Sequence, residues 1–145
     1  MREHTVLRVM AKLLAPMILL FALYVQFHGD YGPGGGFQAG VIFSAGLILY
    51  ALIFGLEEAR RVVPTYVLRW MAACGLLLYA GTGVATMLLG HNFLGYDALA
   101  HEPAHGQHIG IMIVEFGVGL TVTGVITGVF YVFAGRGRRD VRRET

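Results

Sequence analysis

The chain has 145 residues, 56% of them hydrophobic and only 14% charged, with a formal net charge of +2. That balance excludes an ordinary soluble domain and points to one compact unit embedded in a membrane. A single cysteine, Cys74, excludes a disulfide framework or a zinc motif built within the chain; set in an apolar run, it reads as a small packing residue.

Basic residues followed by an apolar stretch open the chain in the manner of a signal peptide. No small-residue cleavage pattern follows, so the stretch is expected to be retained as a first span over 9–27. Lys12 near its start can snorkel to the headgroups. Pro16 falls in its early turns, where a missing N–H costs least.

Next comes the run His28-Gly29-Asp30-Tyr31-Gly32-Pro33-Gly34-Gly35-Gly36-Phe37-Gln38-Ala39-Gly40. Pro33 fixes one φ angle, and Gly34, Gly35 and Gly36 can take backbone angles closed to other residues. A nest of backbone N–H groups at the start of a second span could hold an anion. No lysine or arginine lies on that side of the chain, which argues against a phosphate. A tight re-entrant bend that lets a neighbouring helix or subunit approach the backbone is expected instead. A short half-membrane loop lining an ion path is the remaining reading. Gly36, Gly40 and Ser44 continue a small-residue surface at four-residue spacing.

The second span is expected over 37–56 and the third over 70–89, both without a charge, joined by a charged turn over 57–69. A polar loop over 90–108 follows. His101, His105 and His108, with Glu102 near them, could supply metal ligands, because His-x-x-x-His can place two imidazoles on one helical face. Pro103 and Gly106 are expected to interrupt a helix there, so no metal site is assigned. A polar loop touching a partner is expected, with a pH-sensitive loop as the alternative.

The fourth span is expected over 109–133 and carries one charge, Glu115. Its tail over 134–145 holds five arginines, suited to halting transfer and meeting anionic headgroups but too short a patch for nucleic acid.

Four segments of the roughly 20 apolar residues that a bilayer requires make the chain an all-α integral membrane protein, a single four-helix membrane domain over 1–145. A closed barrel would show shorter, alternating segments. Four spans also place all 11 Lys and Arg residues on one side of the membrane. The positive-inside rule then puts both termini in the cytoplasm.

A charge at mid-membrane depth is costly, so Glu115 must face protein or water, or stay protonated. Gly117, Thr121, Gly124 and Gly128 fall on one helical face and form a close-packing surface for another helix. At about 100° per residue, Glu115 points roughly 160° away from that stripe. If the stripe packs inside the bundle, the carboxylate faces outward and a partner subunit should cover it. Three roles remain open for Glu115: a structural hydrogen-bonded carboxylate, a member of a proton or sodium path, or an interfacial group. His108 lies seven residues earlier on nearly the same face, so His108, water and Glu115 would make a proton route.

The segment from His28 and Gly29 through Pro33-Gly34-Gly35-Gly36-Phe37-Gln38-Ala39-Gly40 resembles the motif of the B subunit of Mrp-type multisubunit sodium/proton antiporters, the MnhB-like family. The run Glu115-Phe116-Gly117-Val118 is similar to the acidic-x-Gly-Val pattern in that family's last helix. The resemblance implies a bacterial cell-membrane protein that works with other membrane subunits. In such complexes, large subunits related to respiratory complex I carry much of the proton path, and small ones shape the interface and contribute to cation passage. It also implies energisation by the proton gradient without an organic cofactor. His28, Gly29, Pro33, Gly34, Gly35, Gly36, Phe37 and Gly40 would then be the structural motif, with Glu115 and His108 the ion-path candidates. The alternative is a stand-alone homo-oligomeric transporter or channel. An enzyme is the weakest reading, because the spans hold no nucleophile–base pair, metal cluster or cofactor motif.

Overall fold

The computed structural model describes residues 5–29, 34–99 and 103–141. Pro33 of the motif, and Asp30, His101 and Glu102, lie outside the described residues.

Helix α1 spans Thr5–Phe27 and carries Pro16 inside it. Helix α2 spans Gly36–Phe54. It stops two residues before the expected end because Gly55 takes φ +97, a left-handed angle that ends a helix at no steric cost. The Gly55 N–H still closes the last turn on the Ala51 carbonyl at 2.9 Å.

The expected charged turn is a helix, α3, over Leu56–Val62. Glu57 and Glu58 sit in its first turn and Arg60 and Arg61 in its last, the order that complements a helix dipole. Arg61 and Glu58 pair at 2.9 Å, both exposed, a contact worth no more than about 0.5 kcal/mol. Pro64 caps the next helix, α4, which spans Thr65–Leu88 and so starts five residues before the expected span.

A short 3-10 turn over Tyr96–Leu99 leads to α5, Pro103–Val141. Pro103 starts that helix instead of interrupting it, since a first-turn N–H has no helical acceptor in any case. Gly106 is carried through the helix. With 39 residues, α5 is about 58 Å long, well beyond a hydrocarbon core of about 30 Å.

Among the described residues, four helices are long and apolar enough to cross a membrane: Thr5–Phe27, Gly36–Phe54, Thr65–Leu88 and, within α5, His105–Arg136. They do not stand in chain order. α1 packs on α2, α2 on α5 and α5 on α4, with α1 touching α5 lightly. The row therefore runs α1–α2–α5–α4, with the last helix in its interior.

Buried side chains along these helices are small: Ala11, Ala15 and Ala22 in α1, Ala39 and Ser44 in α2, Thr82 and Thr86 in α4, Thr123 and Thr127 in α5. Lipid tails are as apolar as leucine, so helices gain by close packing rather than by hiding oil, and small residues permit it. Larger groups close one end, where Ala51, Ala59, Leu68 and Tyr131 join α2, α3, α4 and α5. At the other end, Thr86 pins the chain after α4. Its hydroxyl accepts from the Leu94 N–H at 3.0 Å and reaches the Asn92 carbonyl at 3.1 Å. Phe93 and Tyr96 then lie on Gly83 and Gly110, where any Cβ would overlap their rings. Burial, with Tyr79 adding, holds the Tyr96 phenol above its ordinary value of 10.0.

Candidate functional site

Gly29 and Gly35, on either side of the α1–α2 connection, both meet Glu115. A Cβ added at Gly29 would lie 2.7 Å from Glu115 Oε2, and one at Gly35 would lie 3.0 Å from Oε1 and 3.5 Å from Gln38 Oε1. One at Gly36 would overlap the Glu115 carbonyl oxygen, so α2 begins in backbone contact with α5. Gly35, the residue before α2, has φ +119, which only glycine adopts readily. Its N–H donates to the Val25 carbonyl at 3.3 Å, which ties the loop back to the last turn of α1.

This geometry overturns one expectation. Glu115 does point away from the Gly117, Thr121 and Gly124 face, but on that side the carboxylate is half-buried against Gly29 and Gly35 of the chain itself. The outward assignment assumed that α5 packs on one side only. In the row, α5 has a neighbour on each side.

The site is also electrostatically apt. The carboxylate stands at the N-terminal end of α2, the positive end of the helix dipole, where first-turn N–H groups lack helical acceptors. That arrangement offsets part of the cost of a charge at depth.

Below the carboxylate, α2 and α5 are zipped together. A Cβ at Gly40 would lie 2.8 Å from the Gly119 carbonyl oxygen and 2.8 Å from Val122 Cβ. Ser44 donates to the Gly40 carbonyl at 2.8 Å, and Thr123 donates to the same oxygen at 3.3 Å. On the other face of α5, a Cβ at Gly117 would meet the Gly75 carbonyl oxygen at 2.8 Å, and one at Gly124 the Leu68 carbonyl oxygen at 2.5 Å. Thr121 donates to the Gly117 carbonyl at 2.9 Å. Gly128, expected on this contact, has nothing within 4 Å of an added Cβ.

The remaining motif residues spread out. His28 stacks on Tyr24 one turn back, ring centroids 5.0 Å apart. Gly34 lies over the Val25 carbonyl oxygen, 2.9 Å from an added Cβ. Phe37 points outward and is 59% exposed, so it does not line the cradle. His108 lies half-buried in α5, about 10 Å of helix rise before Glu115. Among the described residues, no three His, Cys, Asp or Glu side chains gather to hold a metal.

Sequence reasoning missed two amides. Gln38 faces the Glu115 carboxylate across Gly35, and Gln26 places Oε1 2.5 Å from where a Gly119 Cβ would be. Each is an uncharged polar residue in or beside an apolar run, which is the signal that could have found them.

Four helices of membrane-crossing length and apolarity among the described residues define a multi-pass membrane protein. Residues 6–128 match the family described as a domain related to the MnhB subunit of Na+/H+ antiporter, and the chain belongs to that family. It is 35% identical over 139 residues to a Staphylococcus haemolyticus protein named as antiporter subunit mnhB2, covering 93% of this chain and 98% of the relative. It is 37% identical, with the same coverage, to the mnhB2-named proteins of Staphylococcus aureus strains Newman and USA300. The family makes the chain a transporter component rather than an enzyme.

Proposed function

We propose that this chain is a non-catalytic small membrane subunit of a multisubunit Na+/H+ antiporter, helping to assemble the complex and lending Glu115 to its ion path. The family match and the names of its relatives support subunit status. One observation supports the ion-path role: the carboxylate of Glu115 is half-buried at the N-terminal end of α2, beside Gly29, Gly35 and the Gln38 amide. The Gln38 amide brings a second polar side chain to the same place. An ion or proton passing there would meet two oxygen groups and a backbone stripped of side chains. His108, about two turns away on α5, is the proposed proton relay toward one surface.

Sodium efflux by a complex carrying Glu115→Gln tests this reading. Transport is expected to be largely lost with the complex still assembled, because an amide cannot take up and release the proton that an ionisable relay does. Normal efflux would make Glu115 structural. His108→Ala is expected to displace the pH profile of transport, and an unchanged profile removes it from the path.

Both termini are proposed to be cytoplasmic, on the strength of the one-sided basic residues. In a Cys74→Ala background, a membrane-impermeant maleimide should label His91→Cys from outside the cell and Glu58→Cys only after the membrane is opened. The reverse pattern inverts the topology.

A further inference from the structure

At the far end of α5 from His108, a cavity of about 260 Å³ opens between α3 and α5, lined by Arg60, Val132, Gly135 and Arg136. Among the described residues, two guanidinium-bearing side chains and no carboxylate line it. Arg60 is held in place. Its Nη2 donates to the Tyr131 carbonyl at 3.1 Å, and its guanidinium carbon stands 5.8 Å from the centroid of the Tyr131 ring. Tyr131 itself is only 1% exposed, so this support is rigid. Gly135 supplies the room: a Cβ there would lie 3.1 Å from Arg60 Nη2. A guanidinium fork has five donors, of which the carbonyl takes one.

The position of this cavity along α5 points to the chemistry of its ligand. On α5 it follows the exposed apolar residues Val129, Val132 and Phe133 and coincides with the start of the arginine-rich tail. Tyr66 and Trp70, both exposed at the same end of α4, flank Arg69 as an interfacial aromatic belt would. A cationic hollow above a lipid-facing apolar strip matches a molecule that carries its phosphate and its acyl chains together. An acidic loop of a neighbouring subunit would supply the charge but would leave that strip uncovered.

We propose that Arg60 and Arg136 form a seat for the phosphate of an anionic phospholipid, its acyl chains lying along Val132 and Phe133. The seat is independent of the role proposed for Glu115.

Native mass spectrometry tests it on the full chain, in whatever assembly it leaves the bacterial membrane, after transfer to nanodiscs of equal phosphatidylglycerol and phosphatidylcholine. The wild-type chain should retain phosphatidylglycerol preferentially. Arg60→Gln and Arg136→Gln should each lower that retention about fivefold, as expected for one basic group near the surface. Arg60→Lys should fall between them and wild type, and Arg61→Gln, whose partner is Glu58, should change nothing. Equal retention of the two lipids, or unchanged retention in Arg136→Gln, overturns the seat. So does a zero-length crosslink from Arg136→Lys to a carboxylate of another subunit. If Arg60→Gln does not fold, Arg136→Gln decides alone, because its side chain is exposed.

Discussion

Glu115 shows what a single residue discloses and what it withholds. Its type and depth were legible, because one carboxylate in an apolar run demands an explanation. Its surroundings were not, because the atoms that meet it come from Gly29 and Gly35, which have no side chain to advertise a contact. The same contacts grade substitutions. Gly36→Ala drives a methyl into a backbone carbonyl that cannot move aside; it should cost about 1–3 kcal/mol or more, seen as a clear fall in melting temperature of the purified chain. Gly29→Ala meets the flexible end of the Glu115 side chain at 2.7 Å and the Gly35 Cα less tightly at 3.2 Å, so it should cost less stability than Gly36→Ala and show its effect in transport. Thr127 presents the opposite case. Among the described residues, its Oγ1 is a buried hydroxyl with no hydrogen-bond partner. Thr127→Val replaces it at equal volume and should hold or raise the melting temperature, by about 1 kcal/mol of stability.

At the scale of helices, α5 has two working sides, and the small-residue stripe revealed only one of them. Periodicity identified the Gly117, Thr121 and Gly124 face because glycine spacing is visible along one strip of sequence. The Glu115, Gly119 and Val122 side is marked by mixed residues and goes unnoticed. The two sides predict contrasting glycine substitutions. Gly75→Ala would overlap the Gly117 carbonyl oxygen and Thr121 Oγ1 and should separate α4 from α5. Gly128→Ala meets nothing and should be neutral or gain up to about 1 kcal/mol of helix propensity. Paired melting curves of the two variants check this. Helix α3 was missed for a different reason: seven residues with four charges carry too short a pattern to separate a helix from a turn.

For the molecule as a whole, hydropathy was enough to count the spans, because a bilayer imposes length and apolarity on each one. It carried no information about which helix neighbours which, since every span looks alike to lipid. The resulting row leaves broad apolar flanks exposed, Leu76 and Leu77 on α4 among them, and Cys74 sits exposed beside them. A spin label on Cys74 in the chain alone should be relaxed by dissolved oxygen and not by a water-soluble nickel chelate, the signature of acyl-chain contact. Relaxation by the chelate would mean that this flank lines a wet passage.

The two halves of the acidic cradle come from the first third and the last quarter of the polypeptide, and that separation sets the order of its birth. The bend between the first two helices has no seat until the final helix leaves the ribosome and slips in between partners already inserted. A nascent protein stalled before residue 115 leaves Gly29 and Gly35 without the helix they pack against, and should be cleared by membrane proteases faster than the full-length chain.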